Sequence, residues 1–253
     1  MHYTVTADTD VGIVKTNNQD SILIKHAKTD IGEVLMAIVC DGMGGLAKGE
    51  LASATVIRAF SKWFDEELPF ELENPDMQVI GEKWSLLLKF LNTKIMEYGQ
   101  QMGASLGTTF SGILFVNDKY VIVHVGDTRI YQIGASLNQL TTDQTFVARE
   151  ISRGNMTPEQ AKTDKRRNLL LQCVGASKVV DPQVLCGNVE KGAYMICSDG
   201  FRHEITAGEM YESLNPINFM NENAMHSNAK YLIELVKSRQ EKDNISVVLV
   251  KAE

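Results

Sequence analysis

Short apolar runs, separated by polar or glycine-containing turns, recur along the chain. They are rich in β-branched and aromatic residues, which favour strands. They cover Ser21–Ile24, Val34–Cys40, Thr108–Val116, Tyr120–Val125, Arg129–Ile133, Tyr194–Cys197 and Ile245–Val250. Asn117-Asp118 lies between two of these runs and predicts a hairpin turn, and Gly134–Asn138 predicts a hairpin tip.

Longer segments show the 3.6-residue spacing of apolar positions that is typical of amphipathic helices. These segments are Glu50–Leu68, Met77–Gln101 and Ala229–Arg239. A fourth helix is predicted to begin near Thr157-Pro158-Glu159, because threonine caps helices and proline fits the first turn. Two polar, irregular segments are predicted to be loops, Phe70–Pro75 and Leu214–Ser227.

The order of these elements predicts the fold class. The strands occur in neighbouring runs rather than alternating strictly with helices, which favours antiparallel sheets with helices packed outside. We predict an α/β (α+β) four-layer sandwich, in which two stacked, mostly antiparallel β-sheets are flanked by helices on both outer faces. No internal repeat or low-complexity linker divides the chain, so residues 1–253 are expected to form a single domain.

Composition narrows the classes of protein further. A content of 44% hydrophobic and 23% charged residues is ordinary for a folded protein. The net charge of −7 argues against general nucleic-acid binding, which needs a basic face. The N-terminus lacks the basic and apolar blocks of a signal peptide, and the apolar runs are far shorter than the roughly 20 residues that span a bilayer. We expect a cytoplasmic protein without nucleic-acid or membrane partners.

The chain has four cysteines and no C-x-x-C pair: Cys40, Cys173, Cys186 and Cys197. Most lie in or beside apolar runs. We therefore interpret them as buried, reduced thiols rather than zinc ligands or disulfides.

Three aspartates lie at the borders of predicted strands. Asp41 and Asp199 each follow a strand directly, and Asp243 precedes one. A strand end holds a carboxylate rigidly, and several carboxylates that converge form a hard-oxygen site suited to magnesium or manganese. Gly42 and Gly200 follow two of these aspartates and allow close approach of the backbone. A simple turn remains the alternative for each Asp-Gly pair.

A fourth acid, Asp20, directly precedes a predicted strand and completes an ordered series of motifs. The series comprises D-x-G-x(7)-D at Asp10, Gly12 and Asp20, DGMGG and GELAS within Asp41–Ser53, GTT at Gly107–Thr109, VGDTRIYQI at Val125–Ile133, LTTDQT at Leu140–Thr145, SDG at Ser198–Gly200 and DN at Asp243–Asn244. With these motifs in this order, the sequence resembles the PPM family, the protein phosphatase 2C-type serine/threonine phosphatases, particularly its compact bacterial members.

The resemblance implies a hydrolase with two Mn²⁺ or Mg²⁺ ions. Asp41 would bridge both ions, and the carbonyl of Gly42 would bind one of them. Asp199 and Asp243 would complete the ligands of the other ion, and Asp20 would hold metal-bound waters. A hydroxide that bridges the ions would attack phosphorus in line, without a phosphoenzyme. None of the cysteines lies in the C-x5-R loop of a thiol phosphatase, which agrees with this mechanism.

The implied substrates are proteins that a serine/threonine kinase has phosphorylated on serine or threonine, as in bacterial signalling. The alternative is a catalytically silent binding or regulatory module that keeps the fold. A catalytically silent module would tolerate the loss of its metal-binding acids. The presence of Asp41, Asp199 and Asp243 therefore favours an active enzyme.

Three positions near the site depart from the family pattern. Lys15 stands where the family commonly has an arginine that grips the substrate phosphate. It keeps the charge but loses the bidentate fork, so this phosphate contact is less directional. Gln19 replaces a usual glutamate, and Met43 replaces a histidine common in animal relatives.

A third metal ion remains an open question. Asp127 matches a residue that binds an extra ion in some relatives, but its usual acidic partner is His203 here. The alternative for Asp127 is a turn residue paired with Arg129. The segment Arg149–Arg167 lies where relatives place a mobile flap. Its cations either steer a phosphorylated loop or form a solvated helix face; they are Lys162, Lys165, Arg166 and Arg167.

Overall fold

Two antiparallel five-stranded sheets organise the chain in the computed structural model, which describes residues 1–43, 48–219 and 221–253. The strands are β1 (Tyr3–Asp10), β2 (Ser21–Thr29), β3 (Gly32–Cys40), β4 (Phe110–Val116), β5 (Lys119–Val125), β6 (Arg129–Ile133), β7 (Leu137–Gln139), β8 (Gln183–Asn188), β9 (Gly192–Cys197) and β10 (Ile245–Ala252). The helices are α1 (Gly49–Glu66), α2 (Leu68–Glu71), α3 (Met77–Met102), α4 (Phe146–Ser152), α5 (Pro158–Thr163), α6 (Asp199–Arg202), α7 (Ala207–Leu214) and α8 (Glu222–Ser238).

The sheets have the strand orders β1-β10-β9-β6-β7 and β2-β3-β4-β5-β8, and every neighbouring pair is antiparallel. Their inner faces share one apolar core, which includes Leu35, Val39 and Ile113 from one sheet and Ile196 and Val248 from the other. Because β3 is buried on both faces, its sequence reads as a continuous apolar run rather than an alternating one.

Helices cover both outer faces. α1 and α3 pack on the sheet that contains β3, where Trp84 lies edge-to-face against both Phe60 and Phe110. α6, α7 and α8 pack on the other sheet through residues such as Phe201 and Leu232. The order helix, sheet, sheet, helix confirms the predicted four-layer sandwich. Among the described helices, none is both long and apolar enough to cross a membrane.

Side chains cap the starts of α3, α4, α5, α7 and α8. Asp76 accepts hydrogen bonds from the main chain at the start of α3, and Thr157 forms a capping box with Gln160 at the predicted start of α5. The prediction of a loop over Leu214–Ser227 is wrong in its second half. Asn221 caps α8, which begins seven residues before the predicted Ala229, because Met225 also buries its side chain.

Three strands were missed by the apolar pattern: β1, β7 and β8. All three are edge strands: β1 alternates polar and apolar residues, β8 has only three consecutive apolar residues, and β7 has only three residues. Edge strands need fewer apolar side chains because only part of their surface is covered. The prediction of buried thiols holds for three cysteines and is wrong for Cys186, which is exposed on β8.

Candidate metal centre

The register of the strands brings the predicted acids to one end of the sandwich. Ser21 pairs with Cys40, so Asp20, just before β2, and Asp41, just after β3, are neighbours. In the other sheet, β9 pairs with β10, and the loop that carries Asp243 meets the start of α6 with Asp199. All four acids thus lie at strand ends on the same side of the sandwich. The sequence had placed each acid only at the border of its own strand.

Two glycines show how tightly these loops meet. A Cβ atom on Gly200 would lie 2.2 Å from the carbonyl oxygen of Asn244, which follows Asp243. A Cβ atom on Gly42 would lie 2.4 Å from the carbonyl oxygen of Gln19. Glycine is therefore required at both positions because another backbone occupies the space of a side chain.

The GTT motif positions the main chain of Asp41. The amide of Asp41 donates to the hydroxyl of Thr109 at 2.9 Å. Its carbonyl oxygen accepts from the hydroxyl of Thr108 and from the amide of Thr109, both at 2.9 Å. The sequence marked these threonines only as part of a motif; the structure shows that they hold the candidate bridging aspartate in place.

The electrostatics of the acids show that they act on one another. Burial raises the pKa of Asp41 well above its ordinary value, and repulsion by Asp20, Asp199, Asp127 and Asp243 raises it further. Burial also raises the pKa of Asp20 to about 7. Repulsion by Asp199 and Asp243 adds to this rise, whereas hydrogen bonds with nearby serine hydroxyls oppose it. Carboxylates gathered in this way need cations to stay ionised at neutral pH.

Unpaired oxygen atoms point to the same requirement. Oδ2 of Asp20 and Oδ1 of Asp199 are buried and have no hydrogen-bond partner within the described residues. Buried charged oxygens normally pair with a cation or bind a metal. These carboxylates therefore fit hard divalent ions such as Mg²⁺ or Mn²⁺.

The side chains are not arranged as a finished ligand set. Within residues 1–43, 48–219 and 221–253, no three His, Cys, Asp or Glu side chains form a group that could hold a metal ion. Two of the acids are engaged elsewhere: Nζ of Lys15 lies 3.0 Å from Oδ1 of Asp243, and Nε2 of His203 lies 3.5 Å from Oδ2 of Asp199. The structure brings the predicted acids together, and their role as ligands stays a prediction.

Asn244 has a role that the DN motif did not reveal. Its side-chain amide donates to the carbonyl oxygens of Val11 and Asn17 at 2.9 and 3.1 Å. Its Oδ1 atom accepts from the amide of Gln19 at 2.9 Å. One asparagine thus clamps both ends of the loop that carries Lys15 against the start of β10.

Glu241 was also missed. Its carboxylate is nearly fully buried, accepts from the amides of Lys242 and Asp243, and lies 3.5 Å from Nδ1 of His203. Burial alone would lower the pKa of His203, but Glu241 and then Asp199 raise it above its ordinary value. The histidine therefore bridges two carboxylates. No sequence signal marked Glu241, because the loop before Asp243 has no apolar pattern.

Asp127 lies beside the acids with a different partner from the one considered in the sequence. Asp127 lies in the turn between β5 and β6, but its expected pairing with Arg129 is wrong, because Arg129 forms hydrogen bonds of 2.7 and 2.6 Å with Asp143. The guanidinium near Asp127 belongs to Arg202, whose Nη2 atom lies 3.7 Å from Oδ2 of Asp127. Asp143, in the LTTDQT motif, is thus a fixed counter-charge that the sequence did not identify.

Gln19 and Met43, which also depart from the family pattern, are both held by hydrogen bonds. The side-chain amide of Gln19 donates to Glu50 at 3.2 Å, on α1. The amide of Met43 donates to the carbonyl oxygen of Gly107 at 3.0 Å. The next two glycines of the DGMGG motif, Gly44 and Gly45, lie outside the described residues.

A cleft of about 470 Å³ separates the segment with α4 and α5 from the sandwich. It lies next to the acids, because Asp127, Arg202 and His203 line it. Among the cations of the segment Arg149–Arg167, Lys162 and Arg167 line this cleft, whereas Arg166 pairs with Asp164.

Known proteins match nearly the whole chain in sequence or in structure. Protein phosphatase PhpP of Streptococcus pneumoniae is 28% identical over 246 residues, which cover 96% of this chain and 94% of that protein. The serine/threonine phosphatase Stp1 from Staphylococcus aureus superposes with a TM-score of 0.87 at 26% identity, covering 100% and 96% of the two chains. The catalytic domain of PstP in complex with two manganese ions superposes with a TM-score of 0.77 at 28% identity, covering 98% and 97%.

The similarity to these phosphatases in sequence and in fold shows that the chain is a protein serine/threonine phosphatase. The family model described as Protein phosphatase 2C matches residues 13–244, which include Lys15 and every candidate acid up to Asp243. The chain belongs to the protein phosphatase 2C family.

Proposed function

We propose that this chain removes phosphate from phosphoserine and phosphothreonine of proteins in a metal-dependent reaction, with residues 1–253 acting as one phosphatase domain. The observation that carries the proposal is the gathering of Asp20, Asp41, Asp199 and Asp243 at one end of the sandwich, with buried unpaired oxygens on two of them. When bound, two Mn²⁺ or Mg²⁺ ions would neutralise the phosphate oxygens and activate the water between them for attack on phosphorus.

The residues of the chain have distinct tasks in this proposal. Asp41, Asp199, Asp243 and the carbonyl of Gly42 would hold the ions, and Asp20 would orient water. The solved PstP domain with two manganese ions supports this stoichiometry by analogy. In the reaction, the P–O bond to the serine or threonine oxygen breaks, a new P–O bond forms to water, and the leaving oxygen takes up a proton.

In this proposal, Lys15 binds the substrate phosphate through its positive charge. Lys15 lies on the loop clamped by Asn244, and its ammonium already reaches the edge of the acids at Asp243. A phosphate dianion bound there would attract the ammonium away from Asp243. Met43 has no proton to donate, so water is the source of the proton for the leaving oxygen.

The test is an assay on a phosphothreonine peptide and on para-nitrophenyl phosphate, with Mn²⁺, with Mg²⁺ and with EDTA. We expect phosphate release with either ion and none with EDTA. Peptides phosphorylated by a serine/threonine kinase, compared with phosphotyrosine peptides, test the proposed substrate class. Absence of metal-dependent release from every substrate would favour the silent regulatory module instead.

A further inference from the structure

The side chain of Arg202 is packed against Asp127 at the edge of the candidate metal centre. Both side chains are only 11% exposed, and Nη2 of Arg202 lies 3.7 Å from Oδ2 of Asp127. The same nitrogen donates to the carbonyl oxygen of Asp127 at 3.1 Å. The guanidinium thus contacts both the carboxylate and the main chain of this aspartate.

The short helix α6 explains why the guanidinium is there. Asp199 is its first residue, Arg202 its last, and His203 follows directly. Residues three and four positions apart lie on the same face of a helical turn. A single turn therefore presents a carboxylate of the metal centre and the guanidinium to the same region.

A second carboxylate lies near the same nitrogen of Arg202. Nη2 of Arg202 lies 3.9 Å from Oδ2 of Asp143, and that oxygen accepts a hydrogen bond of 2.6 Å from Arg129. Burial alone would raise the pKa of Asp143, but its hydrogen bonds to Arg129 keep the pKa below its ordinary value. Arg202 is thus held between two carboxylates, one of which is itself fixed.

This arrangement does not fit a third divalent ion at Asp127. An ion bound to this carboxylate would lie next to a guanidinium that is already in contact with it, and the two cations would repel each other. The neighbouring His203 offers no free ligand in its present position, because its two ring nitrogens face Asp199 and Glu241.

We propose that Arg202 is a built-in cation that replaces a third metal ion beside Asp127. In this inference, which rests on the proposed metal-dependent function, Asp127 is an ion-pair partner that positions Arg202 rather than a metal ligand. The positive charge at this edge of the cleft is then part of the chain and does not depend on the concentration of free metal.

The count of Mn²⁺ ions bound per chain tests this proposal, measured by equilibrium dialysis at saturating Mn²⁺. We expect two ions for the wild type and the same two for Asp127→Asn. The double variant Arg202→Thr/His203→Asp removes the guanidinium and adds a carboxylate, and we expect it to bind three. Arg202→Lys is the matched control, because it keeps the charge and should stay at two.

Three ions in the wild type, or the loss of one in Asp127→Asn, would overturn the inference and leave the proposed function intact. A double variant that is folded by circular dichroism and still binds two ions would equally overturn it. If that variant does not fold, the comparison of the wild type with Asp127→Asn decides the question alone. Fewer than two ions in the wild type would instead contradict the proposed two-metal function itself.

Discussion

The Nζ atom of Lys15 lies 3.0 Å from the Oδ1 atom of Asp243, so the candidate phosphate contact and a candidate metal ligand form an ion pair. Both groups are partly exposed. Their pairing means that a cation bound by Asp243 competes with Lys15 for the same carboxylate. Metal binding would therefore release the ammonium toward an incoming phosphate.

Substitution of Lys15 tests this relationship. We expect Lys15→Met to lower kcat/KM for a phosphopeptide roughly 10- to 100-fold, the effect of losing one hydrogen bond to a charged group. The same variant should bind Mn²⁺ at least as tightly as the wild type in calorimetry, because the competing ammonium is gone. Lys15→Arg should keep or raise the activity. A Lys15→Met variant with full activity would mean that the phosphate contact lies elsewhere.

Removal of one candidate ligand separates metal binding from folding. We expect Asp199→Asn to reduce turnover by orders of magnitude and to abolish the rise in melting temperature that Mn²⁺ causes in the wild type. In EDTA the variant should melt no lower than the wild type, because one of several repelling carboxylates is neutralised. Asp181→Asn, at a side chain that is 91% exposed on the surface, is the control and should behave as wild type.

Stability without metal should depend on pH through Asp20. Its folded-state pKa of about 7 lies above the ordinary value of 3.8, so the folded protein retains a proton that the unfolded chain has released. The resulting stabilisation is present at low pH and is lost as the pH rises through about 7, and it amounts to on the order of 2 kcal/mol between pH 5 and 7.5.

Thermal melting in EDTA at these two pH values measures the effect. The wild type should lose more stability on going to the higher pH than Asp20→Asn does, and contributions from the histidines cancel in the comparison. With saturating Mn²⁺ the direction should reverse, because ions bind deprotonated carboxylates. Equal slopes for both proteins in EDTA would show that Asp20 is already ionised without metal.

The close approach of Gly200 to Asn244 predicts a steric effect. We expect Gly200→Ala to lower both stability and activity, because its Cβ atom would lie 2.2 Å from a carbonyl oxygen and would separate Asp199 from Asp243. Gly208→Ala is the matched control within α7, where the nearest atom would be 3.8 Å away. It should leave activity unchanged and raise stability by up to about 1 kcal/mol. Comparable melting temperatures for both variants would contradict the predicted clash.

Periodicity predicted the buried elements well and the edges poorly. The apolar run Val34–Cys40 predicted β3 because that strand is covered on both faces, and α3 was predicted to within one residue at its C-terminal end. β8 and the first turns of α8 were missed. The position of β8 depends on its pairing with β5, which lies far away in the sequence. The start of α8 is marked by its cap at Asn221, a local signal that apolar spacing does not contain.

The site shows the same division between local and long-range information. Asp20, Asp41, Asp199 and Asp243 were predicted from the sequence, because an acid beside a strand and an ordered series of short motifs can both be recognised without the fold. Glu241 and the clamp formed by Asn244 were not, since their function consists of contacts with loops elsewhere in the chain.

The order of the apolar runs predicted the fold class, and the ordered motifs that resemble the protein phosphatase 2C family predicted the chemical type of the site. The packing of the folded chain, in contrast, decides which cation faces Asp127. Asp127 was compatible with a metal ion or with Arg129, and the fold places Arg202 beside it instead. Charges act through space, so the partner of a buried carboxylate depends on how α6 and the sheets pack rather than on the neighbouring residues in the chain.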